Sequence, residues 1–254
     1  MKRTKNYLIA LVALMITSLG AMAQNTGSSP YLGSTHTYTS VKTTGMSGTT
    51  MAWSVDGGGT VVEAGNTLSA AITWTALGAH KVFVTETTAG PNSCSTIREF
   101  NVIVTANNFN LTVTAPSADC AAGSGTVIPD GASNPGNTTV VYTVAFSGDN
   151  TKTSTFDYAL TSTTDAVISS VIISGGIYSG TALTGNDITI PTGTASFTIT
   201  IVIASRFDVQ DLVKLAITDG KDFYGTPENN TSALDNEGTA TINAVPNTTP
   251  ISAN

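Results

Sequence analysis

Two carboxylates stand just before a strand-like run late in the chain. In the stretch ASRFDVQDLVKLAI, residues 204–217, Asp208 and Asp211 are three positions apart and precede alternating apolar residues. Carboxylates are the hard oxygen ligands that Ca²⁺ prefers, and the ion takes about six to eight oxygens. The other interpretation is a solvated polar rim that discourages edge-to-edge pairing of sheets. These residues alone leave both interpretations open.

No arrangement of residues in the sequence is typical of an enzyme. There is no Gly-x-Ser-x-Gly elbow, no Cys–His pair, and no Gly-rich phosphate loop that opens a helix. His36 and His80 are the only histidines, and neither has ligands at metal-binding spacing, so we interpret both as surface or turn residues. Carboxylates distant in sequence can still meet in space, which leaves glycoside hydrolysis as the alternative. We predict a protein without catalytic activity.

The first residues, MKRTKNYLIALVALMITSLGAMAQ, have the pattern of a secretory signal peptide. A basic start is followed by an apolar run from Tyr7 to about Leu19 and by the small residues Ala21 and Ala23. We predict a signal peptide over residues 1–23 with cleavage after Ala23. A membrane anchor is the alternative, but the run is short for a span of about 20 residues. We therefore expect an exported protein of the periplasm, cell surface or extracellular space that does not span the membrane after cleavage.

The charge balance bears on the class of partner. The chain has 10 basic and 17 acidic residues, and the predicted cleavage removes Lys2, Arg3 and Lys5, which leaves a net charge of −10. Binding to nucleic acid needs clustered Lys and Arg, which this chain lacks. We expect a protein or glycan of the cell envelope or surface as the partner, and no nucleic acid.

Short runs rich in Val, Ile, Thr and Phe, separated by Gly, Asn, Asp and Pro clusters, predict an all-β fold. The clearest strand is SFTITIVI, in which Phe197, Ile199, Ile201 and Ile203 share one face. Similar alternation occurs in KVFVTET (81–87), EFNVIVTA (99–106), FNLTVTA (109–115), TTVVYTVAF (138–146) and DLVKLAIT (211–218).

The turn-favouring pair Asn107–Asn108 lies between two of these runs. We predict a domain break there, giving two tandem β-sandwich (immunoglobulin-like) domains at residues 24–106 and 107–245. The Pro- and Thr-rich residues 246–254 are predicted to be disordered. A hairpin within one domain is the alternative interpretation of the Asn pair.

The amino-terminal unit has two tryptophan-centred motifs. Trp53 begins the stretch WSVDGGG, and Trp74, Gly78 and Val82 follow an aromatic-Gly-Val spacing. Over about residues 30–106 this resembles the PKD-like domains common in exported proteins of Bacteroidota. The resemblance implies a small sandwich. In such a sandwich Trp53 and Trp74 would lie between two sheets. An exposed platform for a sugar is the alternative.

The carboxy-terminal unit resembles the Calx-beta domain, a sandwich of ion exchangers and extracellular adhesion proteins. The resemblance rests on an acidic-glycine start, alternating strands, a strand before a Pro-x-Gly turn, and a closing strand. In order, the matching positions are 130–131, 140–144, 156–159, 188–193, 208–217 and 238–242. A stretch around 160–180 departs from the family's compact length.

The Calx-beta resemblance implies where calcium would bind. In calcium-binding members, acidic residues at loop ends gather at one end of the sandwich. Asp208 and Asp211 stand at the two glutamate positions, but Ala204 and Ser205 replace the acidic pair that usually precedes them. Further carboxylates would come from neighbouring loops, from Asp187 and Asp130. The sequence favours a degenerate or weak calcium site over an intact one, and no other cofactor is expected.

Cys94 and Cys120 are the only cysteines, and export permits a disulfide between them. A hairpin centred on residue 107 would bring the two sulfurs together, whereas a chain running straight between domains would keep them apart. The sequence leaves both outcomes open.

These patterns predict a non-catalytic exported or cell-surface β-sandwich protein that serves adhesion or acts as a structural spacer. The first alternative is a calcium-responsive binding module. The second is a carbohydrate-binding accessory module that uses exposed aromatic side chains.

Overall fold

The computed structural model describes residues 25–43, 48–62, 67–120, 136–163, 167–205, 210–229 and 235–244. In these residues the chain is all-β apart from a short 3₁₀ turn at Ser174–Gly176, so the predicted fold class is confirmed. The predicted signal peptide and the predicted disordered tail lie outside the described residues.

Six strands between residues 35 and 104 form two antiparallel sheets. They are β1 (Thr35–Thr39), β2 (Thr50–Val55), β3 (Gly59–Val62), β4 (Ser69–Trp74), β5 (Gly78–Thr87) and β6 (Ser95–Val104). One sheet has the order β1-β4-β3 and the other the order β2-β5-β6. The alternating side chains of each strand give each sheet one apolar face. The two apolar faces enclose a core of Tyr38, Met51, Trp53, Ala70, Ile72, Trp74, Val82, Val84, Val102 and Val104.

Ten strands between residues 110 and 243 form the second pair of sheets. They are β7 (Asn110–Thr114), β8 (Asp119–Cys120), β9 (Gly136–Ser147), β10 (Ser154–Ser162), β11 (Val167–Ile173), β12 (Tyr178–Gly180), β13 (Thr184–Ile190), β14 (Ser196–Ser205), β15 (Asp211–Ile217) and β16 (Glu237–Asn243). The sheet orders are β13-β10-β15-β16-β8 and β12-β11-β14-β9-β7. The short β8 runs parallel to β16, and the other pairs are antiparallel.

The second core confirms the clearest of the predicted strands. Phe197, Ile199, Ile201 and Ile203 of β14 are all buried, as their shared face requires. The stretch around 160–180, which departs from the Calx-beta length, forms the end of β10 and the antiparallel pair of β11 and β12.

The two cores are separate clusters, and the chain crosses between them after β6. β6 pairs with β5 and β7 pairs with β9, so the runs on either side of Asn107–Asn108 do not form a hairpin with each other. The domain limits themselves stay a prediction.

A short segment before β1 adds to the edge of the first unit. Thr26 and Ser29 close a turn, and Tyr31 forms a parallel bridge with Thr105. This segment also carries Asn25 to the second unit, where the site described below is formed.

Candidate functional site

The structure describes two of the four candidate calcium ligands. Asp208 and Asp130 lie outside the described residues. Asp211 opens β15 and is buried, and Asp187 lies in β13 with a φ of 52°. The backbone N–H of Asp187 donates to Asp157 Oδ1 at 2.7 Å.

Asp187 and Asp211 are not brought together. Asp187 lies beside Asp157 of β10, whereas Asp211 lies beyond the pair of Val213 with Ser162 at the other end of that strand. About seven strand positions separate them, which corresponds to about 20 Å. Within the described residues no group of three or more His, Cys, Asp and Glu side chains could hold a metal ion. A weak calcium site at Asp208 and Asp211 stays a prediction.

Both tryptophans belong to the core, as the sequence favours. Trp74 is completely buried and Trp53 nearly so. The indole N–H of Trp74 donates to the Tyr38 hydroxyl at 3.1 Å, and that of Trp53 donates to the Thr67 carbonyl at 3.1 Å. Neither ring is available as a platform for a sugar.

The two cysteines belong to different units. Cys94 precedes β6 of the first unit, Cys120 ends β8 of the second, and both side chains are exposed. No disulfide joins them in the structure. Each unit therefore has one exposed thiol that a reagent can label.

The largest group of buried polar side chains in the described residues lies where the two units meet. We call it the junction cluster: Asn25, His36, Asp149, Asp222 and Thr226. Asn25 and His36 come from the first unit, and the other three come from loops of the second. Each is at least nine-tenths buried. Polar groups at this depth cost free energy unless they are hydrogen-bonded.

Asn25 is the centre of the junction cluster. Its Oδ1 accepts the Tyr31 N–H at 2.9 Å and the His36 Nε2–H at 2.8 Å. Its Nδ2 donates to Asp222 Oδ2 at 2.6 Å and to Thr226 Oγ1 at 3.0 Å. Its backbone N–H donates to Asp149 Oδ2 at 3.0 Å. Every hydrogen-bonding position of the amide is used, and the bonds reach both units.

His36 joins the two units through its ring. The imidazole stacks on Tyr224 with the ring centroids 4.0 Å apart. Because Asn25 Oδ1 can only accept, the proton of the neutral ring stays on Nε2. Burial lowers the pKa of His36 to about 4, so the ring is neutral near pH 7. The interpretation of His36 as a surface or turn residue is wrong, because the alternation of β1 turns it inward against the second unit.

Asp222 stabilises the loop of the second unit that contacts the first unit. Its Oδ1 accepts the N–H of Tyr224 at 2.9 Å and of Thr226 at 2.7 Å. The carbonyl of Tyr224 then accepts the N–H of Thr35 at 2.9 Å. At the point where the chain passes between the units, Asn107 Nδ2 donates to the Pro227 carbonyl of the same loop at 2.7 Å. The loop is thus held from within and also bonded to the first unit.

The hydrogen bonds of the junction cluster extend to the carboxylates at its edge. Asp149 Oδ1 accepts the Thr151 N–H and hydroxyl, so both carboxylates of the cluster have hydrogen-bond donors on each oxygen. Each carboxylate oxygen of the cluster accepts at least one hydrogen bond, and His36 donates one through Nε2. A buried network in which every member is hydrogen-bonded favours one arrangement of its members.

In the part of the chain that the structure describes, no helix is both long and apolar enough to cross a membrane.

No family model matches the sequence, and no curated protein matches it. Among solved structures the chain is similar to the surface-layer protein SbsC, with 15% identity and a TM-score of 0.34, over 83% of this chain and 22% of that chain. It is similar to the Yersinia pseudotuberculosis adhesin InvE, with 16% identity and a TM-score of 0.28, over 86% of this chain and 57% of that chain.

A third similar structure is that of the fibronectin(III)-like modules of Clostridium thermocellum CbhA. The identity is 13% and the TM-score 0.28, over 89% of this chain and 92% of that chain. The chain spans about a fifth of the SbsC chain and 57% of the InvE chain. At these values the likenesses assign neither a fold family nor a role to this chain, and the PKD-like and Calx-beta-like assignments stay predictions.

Proposed function

We propose that the chain is a non-catalytic exported module of the cell surface that acts as a structural spacer, with its two sandwiches held in one orientation. The junction cluster is the observation that carries this proposal. Two domains in one chain move relative to each other by default unless their interface prevents it. Here a change of orientation would break the bonds of Asn25 and leave Asp222 Oδ2 without the donor from Asn25.

The energetic reason is the asymmetry of buried hydrogen bonds. A buried polar group that loses its partner costs about 1–3 kcal/mol, and a charged group costs more. Asn25 satisfies groups on two loops of the second unit and on β1, so a rotation of the units that keeps the junction buried leaves several such groups unpaired. A spacer needs this property, because its use is to keep what lies at its two ends at a defined distance.

The two native cysteines test the spacer directly. Nitroxide labels on Cys94 and Cys120 report the distance between the units by pulsed electron spin resonance. We expect one narrow distance distribution in the full chain and a broad one in Asn25→Ala. Asn137→Ala, an exposed asparagine of β9, is the matched control and should keep the narrow distribution. A broad distribution in the unmodified chain would contradict the spacer.

The proposed location at the cell surface can be tested separately. The predicted signal peptide supports export, and the exposed thiols of Cys94 and Cys120 allow detection on intact cells. A maleimide reagent that does not cross membranes should label the protein on intact cells of the source organism. Labelling only after the outer layers are opened would place the spacer inside the envelope instead.

A further inference from the structure

The edge strand β6 is covered by a neighbouring segment over only part of its length. Near its end the Ile103 N–H donates to the Ser28 carbonyl at 3.0 Å. Beyond it the Thr105 N–H donates to the Pro30 carbonyl at 2.9 Å, and the Leu32 N–H donates to the Thr105 carbonyl at 2.9 Å. The covered part of the strand contains its buried residues, Val102 and Val104.

The rest of this edge has no neighbouring strand in the part of the chain that the structure describes. Among the described strands, β6 pairs with β5 alone, and residues Ser95–Asn101 are all exposed. The N–H and C=O of one residue point to the same side of a strand, and successive residues alternate. The residues in phase with Ile103 and Thr105 therefore direct both groups outward. They are Ser95, Ile97, Glu99 and Asn101.

A cleft of about 430 Å³ opens beside these outward groups, between the edges of the two sheets. Its apolar lining comes from Tyr38, Trp53, Val82, Val84 and Phe100, and Arg98 lies in the same wall. Phe100 is 48% exposed, although its ring centroid lies only 5.9 Å from that of Tyr38. Since side chains of a strand alternate between its two faces, every second side chain of an added strand would enter this cleft.

We propose that this edge and cleft bind an extended segment of a partner protein by β-strand addition. The outward groups recur at every second residue, and only another backbone matches that spacing. The chain's own residues 28–32 already bind the same edge in this way, so the proposed segment continues an existing pairing. The segment carries apolar side chains at alternate positions and a carboxylate opposite Arg98.

A second copy of the chain fits this edge less well. The antiparallel register that uses all four outward residues pairs Ser95 with Asn101 and Ile97 with Glu99. That register places Arg98 directly opposite its own copy, and like charges at opposed positions destabilise a pair of strands. A partner segment with an acidic residue at that position has no such penalty.

The probe is the heptapeptide acetyl-Thr-Val-Thr-Asp-Thr-Val-Thr-amide, titrated into the full chain to about 1 mM, a concentration that detects weak binding. We expect NMR shift changes in the amides of Ser95–Asn101 and exchange of the Ile97 and Glu99 amides that is slower by at least about tenfold near saturation. The same peptide with N-methyl groups at alternate residues lacks the donors and should not bind.

Two substitutions test separately how the strand edge and the cleft contribute to peptide binding. Ile97→Pro removes an outward N–H without taking a bond from β5, and Ile97→Thr is its matched control. Phe100→Asp leaves every backbone bond in place and places a charge in the cleft. We expect binding to be lost in Ile97→Pro and Phe100→Asp and kept in Ile97→Thr, with the amide spectra of the other strands unchanged.

Two results would overturn the proposal. One is a peptide that shifts no amide of Ser95–Asn101 or that binds Ile97→Pro as well as the unmodified chain. The other is a dimer of the chain alone that protects these amides and is abolished by Ile97→Pro, because the edge would then be occupied by a second copy.

Discussion

Replacement of Glu228 by Gln should stabilise the protein at alkaline pH and leave its stability unchanged in acid. Glu228 lies on the loop between β15 and β16, and its Oε1 accepts the Leu111 N–H at 2.7 Å. Burial raises the pKa of Glu228 to about 7, the Leu111 hydrogen bond opposes the rise, and Asp235 adds to it. The amide of Gln can accept the same N–H without carrying the charge.

The sign and the size of the expected change in stability follow from the pKa shift of Glu228. The pKa of Glu228 is raised above its ordinary value of 4.5, so the folded state binds the proton more tightly than the unfolded state. Its contribution is fully present below pH 4.5 and is lost as the pH rises through about 7. A shift of this size corresponds to about 3 kcal/mol, which partial exposure of the group reduces to about 2–3 kcal/mol.

The assay is urea unfolding followed by far-ultraviolet circular dichroism, with both proteins measured at each pH between 4 and 8.5. Contributions of the other carboxylates cancel in the difference between the two proteins. We expect Glu228→Gln to be more stable by about 2–3 kcal/mol at pH 8 and equally stable at pH 4. A variant that is no more stable than the unmodified chain at pH 8 would refute the account of Glu228.

Three further predictions concern other parts of the fold. Gly148→Ala should cost about 3 kcal/mol in urea unfolding, because φ is +112° there and an added Cβ would lie 2.9 Å from Phe109 Cα; a loss below about 1 kcal/mol would be too small for that clash. The imidazole C–H signals of His36 should titrate near pH 4, since burial lowers its pKa; a midpoint near 6.5 would show a solvated ring. The change in melting temperature between excess Ca²⁺ and chelator should be the same in Asp187→Asn as in the unmodified chain, because Asp187 lies about 20 Å from Asp211. A change that depends on Asp187 would contradict that separation.

The strands were predictable because they depend on local alternation. In SFTITIVI every second residue is apolar, and these residues, Phe197, Ile199, Ile201 and Ile203, form the buried face. Each of the other predicted runs overlaps a strand of the structure. Trp53 and Trp74 were predictable as core residues for the same reason, since each lies in an alternating strand.

The junction cluster was not predictable from local pattern. The bonds of Asn25 to the second unit reach residues 124 to 201 positions away, and a polar residue near a predicted cleavage site gives no sign of being buried. The contact of His36 with the second unit was also not predictable from local pattern alone. Its place in the alternation of β1 was the available signal that it points inward, but only the loop around Tyr224 explains how a buried imidazole is accommodated.

The proposed spacer requires that Asn25 holds the two sandwiches as one body. The most direct test is to measure backbone residual dipolar couplings of the full chain and to fit one alignment tensor to each unit. We predict the same tensor for both units in the unmodified chain, and tensors of different magnitude in Asn25→Ala. Different tensors in the unmodified chain would contradict the claim, because they would show that the units reorient despite the junction cluster.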